Sequence, residues 1–134
     1  MKTVCMALMA ALGGCQIFSY GDRATPEQMA RATMLNVLWA EVRYEKWFGR
    51  YGTLKDLVTH GQLDLNPELA SSGRVAGYAF HLTIREAGFS LVAMPTKPPL
   101  DGQRRLYSDQ TRVIRETYYP DVPNHNSRVV IDPG

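Results

Sequence analysis

From Tyr78 onward the apolar residues of this chain recur at every second position, whereas between Pro26 and Phe48 they recur at every third or fourth. A chain that changes period in this way commits its first half to helix and its second to strand, because side chains repeat every 3.6 residues on a helix and every two on a strand. In the first half, Thr25 stands as an N-cap, Pro26 lies in the first turn and Gln28 takes the capping-box position, so a long helix is expected over 26–48. Leu35, Leu38, Trp39 and Val42 share one face, and Val37, Ala40, Tyr44, Trp47 and Phe48 widen it toward the C-terminal end. That aromatic stripe reads as core packed against a sheet. Gly49 and Gly52 break the helix. Thr53 and Asp56 then cap a second, two-turn helix over 54–60 that Gly61 ends, and residues 63–73, "LDLNPELASSG", read as a loop.

In the second half, Tyr78, Phe80, Leu82 and Ile84 alternate with Ala79, His81, Thr83 and Arg85. The chain turns at Glu86-Ala87-Gly88 and returns over 89–94, and Pro95 closes that strand because it has no amide to give the ladder. Residues 105–108 and 112–117 form two more strands around Asp109-Gln110-Thr111, and 128–131 a last edge strand. The expected fold class is α+β: a long N-terminal helix packed on a small antiparallel sheet, with Trp39, Phe80, Leu91 and Val113 in the shared core. A chain of 134 residues, 45% hydrophobic, carries one such core.

The start of the chain, "MKTVCMALMAALGGC", has one basic residue, an apolar run too short to span a bilayer, and then Leu12-Gly13-Gly14-Cys15. This resembles a bacterial lipoprotein signal, whose lipobox is Leu, two small residues and Cys. The resemblance implies cleavage before Cys15, diacylglycerol on its thiol and acylation, palmitate included, of the new N-terminus. Residues 1–14 are then the signal peptide, 15–24 a tether and 25–134 the folded domain. Cleavage removes Cys5 with the signal and leaves one thiol, which lipidation masks. Gln16 in place of an aspartate favours the outer membrane, facing the periplasm or the surface, in such proteins.

The second half also resembles the globular head of type IV pilins and type II secretion pseudopilins. The residues concerned are Gly77, Tyr78 and Phe80; Ala93, Pro95 and Pro98; Gly102, Arg104 and Leu106; and Ser108, Asp109, Thr111, Val113, Ile114 and Arg115, in series over about 40 residues. The tetrapeptide Gly88-Phe89-Ser90-Leu91 matches a prepilin cleavage site in letters alone, because Pro95, Lys97, Pro98 and Pro99 forbid a membrane helix after it. The apolar first half of the pilin helix is replaced by the lipobox, so the resemblance implies the head fold without the filament core.

No catalytic motif occurs, and His60, His81 and His125 have no metal-ligand spacing. The chain reads as a non-enzyme without cofactor other than the lipid on Cys15. Some pseudopilin heads hold calcium between strands, and Asp101 and Asp109 flank that region as candidates for it. The formal charge of +2 gives no field for nucleic acid, and nothing points to a small-molecule substrate. Arg104, Arg105, Arg112 and Arg115 form a candidate binding patch beside Tyr118 and Tyr119, provided that Arg104, Arg105 and Arg112 are exposed, adjacent and free of carboxylates. The expected function is a lipid-anchored envelope protein presenting a pilin-like head to envelope, pilus or secretion proteins. A diverged minor pilin or pseudopilin, and a periplasmic enzyme with an unrecognised site, are the alternatives.

Overall fold

The structure is a computed structural model that describes residues 24–60, 65–97 and 104–133. The long helix, α1, runs Pro26–Phe48 with the expected capping box: Thr25 accepts from the Gln28 N–H at 3.2 Å, and the Gln28 side chain accepts from the Thr25 N–H at 2.8 Å. Gly49, at φ 73°, ends it in the left-handed region that favours glycine. The second helix, α2, spans Leu54–Thr59 and uses the same device with Thr53 and Asp56. Both helices start where their local chemistry dictates.

Residues 63–73, read as loop, contain a short helix α3 at Glu68–Ser71, begun where the Asn66 side chain accepts from the Glu68 N–H. A two-residue strand β1, Arg74–Val75, follows, and Ala76 and Gly77 turn it into β2 with both φ angles positive. Turns of that handedness match the twist of the strands they join. β2 (Tyr78–Arg85), β3 (Gly88–Pro95), β4 (Arg104–Asp109), β5 (Ile114–Tyr118) and β6 (Arg128–Ile131) complete one antiparallel meander in which strands pair in chain order. Arg85 pairs with Gly88, so the turn is Glu86-Ala87 and Gly88 already belongs to the ladder. A Cβ at Gly88 would collide with the Gln110 side chain, whose oxygen accepts from the Phe89 N–H.

α1 lies against β3 and β4. Ala30, Met34, Val37, Leu38, Ala40 and Tyr44 bury its inner face against Tyr78, Phe80, Phe89, Leu91, Ala93, Leu106 and Ile114. Phe80 and Leu91 occupy the core as expected. Trp39 does not: it is 48% exposed, and Trp47 and Phe48 are exposed as well. The true inner stripe, 30-34-37-38-41-44, passes through Glu41, and its polarity disguises the phase of the helix. Val113 is likewise displaced, because β5 begins at Ile114 and turns Ile114 and Glu116 inward.

Candidate interaction surface

Strand alternation divides the four arginines between the two faces of the sheet. On β4, Leu106 and Ser108 are buried with Arg104 on their side, while Arg105, Tyr107 and Asp109 take the opposite face. Arg104 is partly covered and lies 3.7 Å from the carboxylate of Glu116, which is 1% exposed, and over the ring of Tyr118. Arg128 of β6 reaches the other oxygen of the same carboxylate at 3.2 Å. Glu116 therefore ties β4, β5 and β6 together, and Arg104 has the carboxylate partner that a free patch would lack.

Arg105 donates to the carbonyls of Pro120 and Asp121, at 3.3 and 3.1 Å, and sits over Tyr119. Arg115 donates to the Ser127 carbonyl at 3.0 Å. Both clamp the segment 119–127 back onto the sheet. Arg112, at φ 66°, lies over the indole of Trp39. The structure thus brings Arg105 and Arg115 under one loop and Arg104 beside Arg128 on one carboxylate, while Arg112 stands apart against α1. Tyr118, Tyr119 and Val122 stay exposed along this end of the sheet.

Asp109, named for calcium, spends its oxygens on its own turn: Oδ1 accepts from the N–H and hydroxyl of Thr111, and Oδ2 from the Tyr107 hydroxyl at 3.1 Å. Among the described residues no group of three or more His, Cys, Asp or Glu side chains is placed to hold a metal ion. Asp101, the lipobox Leu12-Gly13-Gly14-Cys15, and Pro98 and Gly102 of the pilin-like series lie outside the described residues.

A cleft of about 280 Å³ opens between the C-terminal end of α1 and the β2–β3 turn, lined by Glu45, Gly49, Arg50, Tyr51 and residues 84–87. Its lining contains no Ser, Thr, Cys or His. Arg50 is also engaged, at 3.9 Å from Asp56 and over the Tyr44 ring. The cleft offers mixed charge beside the exposed side chain of Ile84.

Two features escaped sequence reasoning. The first is Glu41, wholly buried, with Oε1 accepting from the Gly52 N–H at 2.8 Å and Oε2 without a hydrogen-bond partner. Burial pushes its pKa up to about 7, against the opposing pull of the Gly52 N–H, and the negative charge of Asp56 adds to the rise. The second is the solvent face of α1, where Met29, Trp39 and Trp47 are exposed. The spacing of 39 and 47 was visible, but nothing in the apolar pattern marked the core stripe as running through Glu41 instead.

No protein-family model, curated protein or solved structure matches the chain. No helix among the described residues is long and apolar enough to cross a membrane.

Proposed function

We propose that this chain is a lipid-anchored, non-enzymatic protein of the bacterial cell envelope, held at the membrane through Cys15 and presenting its α+β head to protein partners. The observation that carries the reading is the order Leu12-Gly13-Gly14-Cys15 after a short apolar run, ten residues before the capped start of a folded helix at Thr25. A cysteine in that position supplies a lipidation site and a short leash, and a head built on one core can work at the end of it. The test is expression in a Gram-negative host with labelled palmitate. The wild-type chain is expected to take up label and to lose residues 1–14, and Cys15→Ala to remain unlabelled at precursor mass. Processing that ignores Cys15 would refute the anchor.

A second reading, a diverged minor pilin or pseudopilin of a type IV pilus or type II secretion system, draws support from a helix laid on an antiparallel meander together with the pilin-like series from Gly77 to Arg115. It predicts co-purification with sheared filaments. The lipoprotein reading predicts retention in the membrane fraction.

A further inference from the structure

We propose that the solvent face of α1 is a membrane-docking ridge, on which the head lies against a bilayer surface bearing anionic phospholipid. Met29, Ala32, Trp39, Arg43, Lys46 and Trp47 follow one another in steps of three, four and seven, with Trp47 one position beyond Lys46, so they form one stripe along the helix. All six are exposed, and Trp47 is 66% exposed. The stripe combines two indoles, a methionine and two cations and holds no carboxylate. The acids of α1 lie elsewhere: Glu41 faces the core, Glu45 lines the cleft, and Glu27 falls outside the stripe.

That composition suits an interface rather than water. Indole rings settle at the headgroup level of a bilayer, and the long stems of Lys and Arg lie along apolar surface while their charges meet lipid phosphates. Anionic headgroups attract each nearby cation. Arg112, stacked over Trp39, holds one side of that indole and adds a third cation to the margin of the stripe.

The geometry of attachment permits this pose, and in this respect the proposal rests on the lipoprotein reading. The ten residues of the tether, 15–24, have a maximum reach of about 35 Å. The 23 residues of α1 span about 35 Å as well. A head leashed that closely can lay the whole ridge, Met29 to Trp47, on the bilayer that holds its lipid.

Trp39 and Trp47 are the two tryptophans of the chain, so its indole emission reports the ridge directly. The experiment reconstitutes the processed full-length protein in vesicles of phosphatidylethanolamine and phosphatidylglycerol with brominated acyl chains. The expected result is a blue-shifted emission quenched by bromine, weaker in phosphatidylcholine vesicles and at high salt. Replacing Lys46 with Gln should lower the ratio of docked to undocked protein by about fivefold and leave the melting temperature unchanged. Palmitate labelling and vesicle flotation read the anchor separately. A protein that is labelled and floats, yet emits as in water and ignores bromine, overturns the ridge and leaves the anchor standing. A chain that carries no label but is quenched when added to the same vesicles upholds the ridge and removes the anchor. A blue shift that appears without vesicles, grows with protein concentration and accompanies cross-linked dimers overturns the proposal in favour of a second copy.

Discussion

Glu41 and Gly52 are joined inside the protein by a 2.8 Å hydrogen bond from the glycine N–H to the carboxyl, and this bond fixes the loop between α1 and α2 to the middle of the core helix. The same burial makes the carboxyl reluctant to ionise, which raises its pKa from 4.5 to about 7 in the folded state. A raised carboxyl pKa means that the folded state binds the proton more tightly than the unfolded chain does. The stabilisation is therefore complete below the unfolded value of 4.5 and is lost as pH rises to about 7, by at most about 3 kcal/mol. Thermal melts between about pH 5 and about pH 8 should show a falling melting temperature. Glu41→Gln keeps an acceptor for the Gly52 N–H and cannot ionise, so its melting temperature should be nearly level across that range. An unchanged slope in the variant would show that another group titrates.

Asp56 works in the opposite direction. Its pKa is lowered, first by the hydrogen bond from the Thr53 N–H at the start of α2. Its contribution is present above the ordinary aspartate range and is lost as pH falls through the depressed value. Asp56→Asn should remove stability at neutral pH and nothing at strongly acid pH, and denaturant titrations at the two extremes decide it. Together with Glu41, this places the stability maximum in mildly acid solution.

The two glycines of the α1–α2 loop are needed for different reasons. A Cβ at Gly52 would lie 2.9 Å from Cε1 of the buried Tyr44 ring and 3.0 Å from Asp56 Cβ, whereas one at Gly49 meets nothing within 4 Å. Gly52→Ala should cost about 1–3 kcal/mol through overpacking against a ring that has no room to retreat. Gly49→Ala should cost about 1 kcal/mol, through its φ of 73° alone. Urea titration of both variants separates the mechanisms, since a second change of Tyr44 to a smaller residue should relieve the first and leave the second untouched.

The parts of this fold written in short-range chemistry were readable from the sequence. Both capping boxes, the span Pro26–Phe48, the β2–β3 hairpin and the edge strand Arg128–Ile131 agree with the structure, because caps and period-two alternation depend on neighbours a few residues away. The phases of α1 and β5 were not readable, and for one shared reason. Each buries a glutamate, Glu41 or Glu116, on its inner face, so an apolar count assigns the inward side to the wrong residues. α3 and β1 are too short for a periodic signal to emerge. The arginine cluster was visible as composition, but the partners that hold each guanidinium come from residues 116 to 128 and from Trp39, which only the folded chain brings within reach.

Glu116 yields a prediction about the sheet end. With Arg104 and Arg128 both replaced by Ser, its carboxylate stays buried without a cation, a situation that costs about 3–5 kcal/mol when a buried pair is broken. Arg128→Ser alone should cost far less, because that side chain is 73% exposed and Arg104 still faces the acid. A double-mutant cycle in urea measures the difference, and additive single effects would show that the carboxylate is not shared.

Trp39 gives the sharpest comparison between apparent and actual core. Its indole is about half exposed and rests against the guanidinium of Arg112, so Trp39→Ala removes one cation–π contact and part of an apolar surface, about 1–2 kcal/mol in all. Phe80 is buried against the inner face of α1, and Phe80→Ala should cost about 3–5 kcal/mol. Arg112→Ala should reproduce part of the Trp39 effect and add little to it in the double variant, because the two lose the same contact. If Trp39→Ala instead unfolds the head as Phe80→Ala does, the indole belongs to the core, and it cannot also be a side chain that reaches outward to a membrane.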